Sequence, residues 1–288
     1  NAVGSSLIFK SNNTINQTGA IALVANTGTP VANLIYDTTN GSKGSNITSG
    51  ALTFTSGAGS SINFLAKAAG GAITTGTIGT SALSLPGTVT IDNTYGCSGS
   101  SCTPASSYIT AANVSSTLAT ASAGVTISGA IYNTGNIQIN GVSSGSYGVS
   151  YTAAMTTTSG SISITGITTT GSAIYSNAAG ILNANSTAVG TITLTGTSTA
   201  ATGGYGINTA TSATMTGAAG VYLYGQGVGG AVTVGALIRD SGTSGGVVVD
   251  AIGNVSLTGV TNSGSNGIRI TAGEGIAAGT TTGGNITA

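Results

Sequence analysis

One short phrase recurs along this chain and limits what it can fold into. It reads Gly160-Ser-Ile-Ser-Ile-Thr-Gly166 and returns as Gly190-Thr-Ile-Thr-Leu-Thr-Gly196, Gly230-Ala-Val-Thr-Val-Gly235 and Gly253-Asn-Val-Ser-Leu-Thr-Gly259. An earlier copy is Gly135-Asn-Ile-Gln-Ile-Asn-Gly141, and the sequence closes inside another, Gly284-Asn-Ile-Thr-Ala288. Each copy is a minimal strand, with branched apolar residues pointing one way and small polar residues the other. A strand of this length offers two inward side chains, far too few for a core. The chain can bury them only by stacking copy upon copy.

Other phrases lie between these copies. Gly145-Ser-Tyr-Gly-Val149, Gly171-Ser-Ala-Ile-Tyr175, Gly203-Gly-Tyr-Gly-Ile207, Gly245-Gly-Val-Val248 and Ser265-Asn-Gly-Ile268 form a second series. Ala178-Ala-Gly-Ile-Leu182, Ala218-Ala-Gly-Val-Tyr222 and Gly273-Glu-Gly-Ile276 form a third. A unit of three short strands with glycine corners, repeating at about 23–40 residues, is the signature of a solenoid. The expected fold is all-β: a right-handed parallel β-helix with three short strands per coil. Taking the first phrase as one face predicts an inward column of Ile137, Ile162, Ile192, Val232, Val255 and Ile286. Its neighbour would be Ile139, Ile164, Leu194, Val234 and Leu257. Asn136, Asn254 and Asn285 hold equivalent places and predict an asparagine ladder. Two regions follow from the regularity. Residues 1–123 read as irregular coils with an excursion near 93–120 and a short helix at Ala111–Leu118. Residues 124–288 read as regular coils.

Composition decides between a repetitive fold and a disordered tail. Charged residues make up 3% of the chain, and glycine numbers 49. Disorder goes with low hydrophobicity and high net charge, whereas here mean hydropathy is +0.37 and net charge zero. Zero net charge excludes an electrostatic nucleic-acid partner. Polar residues interrupt every apolar run before the roughly 20 residues a spanning helix needs, so no membrane insertion is expected. The strands are also about half the 9–11 residues of a membrane barrel strand.

Few residues can do chemistry. Histidine is absent, and the acids Asp37, Asp92, Asp240, Asp250 and Glu274 are scattered through the sequence. Carbohydrate-cleaving β-helices need convergent carboxylates or a metal with a base. The chain therefore reads as no enzyme, with no catalytic, metal or cofactor site. Arg239 with Asp240 and Arg269 with Glu274 are candidate surface pairs. Gly225-Gln-Gly-Val-Gly-Gly230 fits the dinucleotide pattern by letter only, without its strand–helix setting. Cys97 and Cys102 are too few for a metal site and read as a small-loop disulfide formed in an oxidising compartment. The chain opens on Asn1-Ala-Val-Gly4 and closes in mid-phrase, as a slice of a longer protein or a mature fragment would.

The phrases at Gly135–Gly141, Gly253–Gly259 and Gly284–Ala288 resemble the Gly-Asn-Ile-x-Leu-x repeats of filamentous-haemagglutinin-type exoproteins, the adhesins of bacterial two-partner secretion. Large autotransporter passengers are similar. The resemblance covers the C-terminal 165 residues or so and implies an extracellular, cell-surface location for a secreted bacterial protein. It further implies a non-catalytic structural or adhesive shaft in cell adhesion, aggregation or biofilm. Partners would be further coils of the same chain, identical subunits end to end, and host or matrix glycans. Two alternatives remain. One is a subunit of a self-assembling extracellular filament or surface layer. The other is a carbohydrate-binding or carbohydrate-active module.

Overall fold

A computed structural model describes residues 6–24, 33–39, 45–55, 62–82, 84–85, 87–94, 123–177, 180–184, 189–210, 214–273 and 286–287. Among these every named strand pairing is parallel, and no helix occurs. Cys97, Cys102, Glu274, Asn285 and the Ala111–Leu118 helix expectation lie outside the described residues. The molecule is a β-solenoid.

A 10-stranded sheet forms one face. Its strands are Ser6–Lys10, Asn33–Asp37, Asn63–Lys67, Val89–Asp92, Ile137–Ser143, Ile162–Thr168, Thr191–Ser198, Gly220–Gln226, Val247–Ile252 and Ile268–Ala272. Side chains alternate in and out along each strand, as the burial of Ile162–Thr168 shows, so register fixes which residues meet in the lumen. Val89, Ile137, Ile162, Ile192, Val221 and Val247 stack in one fully buried column. Ile91, Ile139, Ile164, Leu194, Leu223 and Val249 form the next.

A 14-stranded sheet supplies the other two faces. One carries the column Ile73, Val125, Val149, Ile174, Ile207, Val232 and Val255. The other carries Ile131, Met155, Leu182, Met215 and Ile238. The two faces merge in Gly230–Asp240, an 11-residue strand whose first half pairs with Tyr205–Thr209 and whose second half pairs with Thr214–Gly217. A register shift between Val234 and Leu237 marks the former corner. Val255–Asn262 follows it along both halves, so the coil passes from three faces to two.

This pairing corrects the sequence expectation. Ile137, Ile162 and Ile192 do share a column, but Val232 and Val255 stack on the second sheet. The first sheet continues instead through Val221 and Val247, from the third and second phrase series. The reason is coil length. Rung-to-rung hydrogen bonds connect residues 27, 30 and 25 apart at Ser6–Asn33, Asn33–Asn63 and Asn63–Thr88. They connect residues 25 and 30 apart at Asn136–Ser161 and Ser161–Thr191. Waiting for Val232 would leave the edge of Thr191–Ser198 without a partner for a whole coil. Ile162, Ile164, Ile192, Leu194, Val255 and Leu257 are all inside nonetheless.

Gly141, Gly166, Gly196 and Gly225 form a column of their own. A methyl group at Gly166 would overlap the Ala173 carbonyl oxygen, and one at Gly196 that of Gly206. The first face therefore touches the backbone of the second there, which only glycine permits.

Candidate functional site

Polar side chains in this molecule are organised as columns too. Lys10, Asp37, Lys67, Asp92 and Asn140 lie in direct register on the first sheet, so four of the ten charged residues form one line of alternating sign with a neutral end. Lys67 Nζ stands 3.2 Å from Asp37 Oδ2. Asn140 Nδ2 donates to Asp92 Oδ2 at 2.8 Å. Asp37 Oδ1 accepts the N–H and hydroxyl of Thr39, and Asp92 Oδ1 accepts those of Thr94. Burial works to raise the Asp37 pKa, but the Thr39 hydrogen bonds and the Lys67 ammonium outweigh it and hold the carboxyl below its ordinary value. These acids are occupied in turns and rung contacts.

Beside this line, fully buried Asn93 joins three coils. Its Nδ2 donates to the carbonyls of Gly71 and Val142, and its Oδ1 accepts the Val142 N–H at 2.7 Å. Asn93 stands at the root of the segment that carries the cysteines. A second polar column replaces the expected asparagine ladder. Asn33 donates to Ser6, Asn63 donates to Asn33, and Thr88 donates to Asn63. Farther on, Asn136 accepts from Ser161 N–H, and Ser161 Oγ accepts from Thr191. Asn254 precedes a strand of the other sheet.

Of the candidate ion pairs, Arg239 is exposed while adjacent Asp240 is fully buried, its Oδ1 accepting the Gly242 N–H at 3.3 Å. Arg269 reaches Asp250 at 3.9 Å, and its expected partner Glu274 lies outside the described residues. The run Gly225–Gly230 covers the end of one strand, a corner at 227–229 and the start of the next strand. No three Asp, Glu, Cys or His side chains converge among the described residues.

Two surface features were not anticipated from the sequence. Tyr147 and Tyr175 project outward from adjacent rungs and stack with ring centroids 4.5 Å apart. Tyr205 begins the next strand of that face, and a Cβ on Gly230 would stand 3.0 Å from its ring. All three tyrosines are half-buried. Near them the corner between the first and second faces opens into a cavity of about 420 Å³, lined by Thr199, Gln226, Val228, Ile252, Gly253 and Asn254 among others. The cavity follows from unequal corners. Residues 199–204 precede Tyr205, whereas only 227–229 and then 253–254 turn the next two rungs, so the longer loop overhangs a step.

No protein-family model, curated protein sequence or solved structure matches this chain. Its functional reading rests on the geometry above.

Proposed function

We propose that this chain is a non-catalytic shaft segment of a secreted bacterial surface fibre, serving adhesion, aggregation or a biofilm matrix. The observation that carries the reading is the condition of the two end rungs. The lumen columns run to the last described strands of the first sheet, Ser6–Lys10 and Ile268–Ala272, each with one edge unpaired among the described residues. Leu7 is still 41% exposed and Ile268 49%, although their column is otherwise buried. Apolar rungs with open edges call for another coil, from the same chain or from an identical subunit. Two further features favour a mechanical role. Side chains fill the lumen, and Asp37, Asp92 and Asp250 are held by neighbours rather than gathered around a substrate. The open edges equally favour a self-assembling filament subunit as the second reading.

Electron microscopy and light scattering of the purified chain over a concentration series test both. The expected result is rods that lengthen end to end with concentration, suppressed by Leu7→Lys with Ile268→Lys. Single rods at every concentration, together with polysaccharide cleavage abolished by one point mutation, would overturn the proposal. Imaging intact fibres then separates one long chain from many short ones.

A further inference from the structure

The stepped corner and the tyrosine ridge beside it share a chemistry that the shaft itself does not require. We propose that together they bind a neutral polysaccharide, laid along the solenoid axis with one sugar unit seated in the corner cavity. This rests on the reading of the chain as an extracellular shaft, since that is where such a glycan would be met.

The ridge supplies aromatic surface: the outer face of each of the stacked Tyr147 and Tyr175 rings, whose inner faces cover each other, and the ring of Tyr205. Tyr147, Tyr175 and Tyr205 come from three successive rungs of one face. An aromatic face is electron-rich, and the axial C–H bonds of a pyranose are its natural complement. Rungs recur at about 4.8 Å, close to the length of one pyranose residue in an extended glycan, so successive rungs can meet successive sugars. Outward polar groups lie beside the rings: Asn208 and Thr233 stand in register with Tyr175 on the next two strands.

The cavity continues the ridge. Its lining residue Gly227 packs against the backbone of Gly204–Gly206, which lies within 2.6–2.9 Å of where a Cβ would stand. Tyr205, the last ring of the ridge, belongs to that stretch. The volume of about 420 Å³ falls in the range of small-molecule pockets. The lining combines amides of Gln226 and Asn254 and the hydroxyl of Thr199 with the apolar surfaces of Val228 and Ile252. Amides bridge pairs of sugar hydroxyls as donor and acceptor at once. Val228 is 69% exposed, an apolar side chain held out at the rim.

Charge selects the glycan class. No charged residue lies in the sequence between Asp92 and Arg239, and neither the ridge nor the cavity lining contains one. A uronate or sulfated chain would find no cation here to offset its desolvation.

The test uses the full chain with four neutral hexasaccharides, those of cellulose, amylose, chitin and β-1,3-glucan, and hexagalacturonate as the acidic comparison. Binding is followed by calorimetry and by tyrosine emission, which is read directly because the chain has no tryptophan. At least one neutral probe should bind, and hexagalacturonate at least tenfold more weakly. Tyr175→Ala and Gln226→Ala should each weaken that binding about tenfold, and Tyr175→Leu should resemble Tyr175→Ala while keeping apolar volume for folding. Circular dichroism and rod length are to stay unchanged in all three. No binding of any neutral probe at millimolar concentration overturns the inference. So does stronger binding of hexagalacturonate, or binding indifferent to both Tyr175→Leu and Gln226→Ala. Rods that assemble normally without binding glycan would sink this site alone, whereas loss of end-to-end assembly would sink the shaft reading alone.

Discussion

The first four rungs and the next four of the 10-stranded sheet solve the same problem by different means. In strands from Ser6 to Asp92, register is enforced by specific partners. Lys10, Asp37, Lys67 and Asp92 alternate in sign along one column, and Asn33 and Asn63 are linked amide to amide. Phe9 stacks on Tyr36 with centroids 4.9 Å apart, and Tyr36 tilts against Phe64 at 5.7 Å. The Tyr36 hydroxyl donates to Gln17, and burial pushes its pKa up to about 12. In strands from Ile137 to Gln226 the two apolar columns that begin at Ile137 and Ile139 hold only Ile, Leu and Val, while Asn140 is followed by Thr165, Thr195 and Tyr224. A clean repeat keeps its register through copies of one phrase. Where the repeat is loose and the strands carry consecutive apolar residues, a slip by one residue would part each lysine from the aspartate now opposite it and set both against uncharged neighbours. The charged column thus supplies the specificity that periodicity withholds.

The largest blow to the aliphatic region should come from Ile192→Asp. It places an unpaired carboxylate in a column with no exposure and should cost about 4 kcal/mol. Because coils interact chiefly with their neighbours, protease cleavage should cluster around 160–225 and spare the first rungs. Uniform loss across both regions would contradict nearest-neighbour stacking.

In the polar region Asn93→Leu should come next, at about 3 kcal/mol. It strands the Gly71 and Val142 carbonyls and the Val142 N–H in the interior. Chemical denaturation should report it, and hydrogen exchange should speed up at residues 89–94 and 137–143 before the rungs beyond Thr191.

Acid should sharpen the contrast without mutation. The folded Asp37 carboxyl titrates below its ordinary value of 3.8. The stability it contributes is therefore complete above that value and is lost as pH falls through the folded pKa. Amide protection in strands Asn33–Asp37 and Asn63–Lys67 should decline as the pH falls below 3.8, while Ile162–Thr168 holds. Asp37→Asn should flatten that decline, and an unchanged profile would remove Asp37 from the explanation.

The smallest effect belongs to Arg269→Ala. The Arg269–Asp250 pair is 3.9 Å apart with the arginine side chain 63% exposed. A change in melting free energy above about 0.5 kcal/mol would be unexpected.

The alternation of Ile162, Ile164, Ile192 and Leu194 with Ser and Thr made their inward direction readable from sequence, because a strand has only two faces. Which side of the coil a phrase occupies was not readable. Gly190–Gly196 and Gly230–Gly235 are near copies, yet they lie on different sheets. The phrase encodes a strand, and only the summed corner lengths encode its face. The same gap hid the charged column, since aligning Asp37, Lys67 and Asp92 needs coil lengths that vary between 25 and 30. The tyrosine stack and the corner cavity depend on diagonal neighbours and unequal loops, which no single phrase contains.

The rung-to-rung hydrogen bonds described above run along the axis, while the covalent chain winds around it. A pull on the ends would therefore open bonds a few at a time rather than shear a whole sheet at once. A coil of 25 to 30 residues contributes only about 4.8 Å to the folded rod, yet it would span roughly 90 Å when drawn out. Each turn is thus a spool of stored length. Stacked in series, such turns would let a tethered particle recoil and be reeled back coil by coil, dissipating load before the attachment itself is strained.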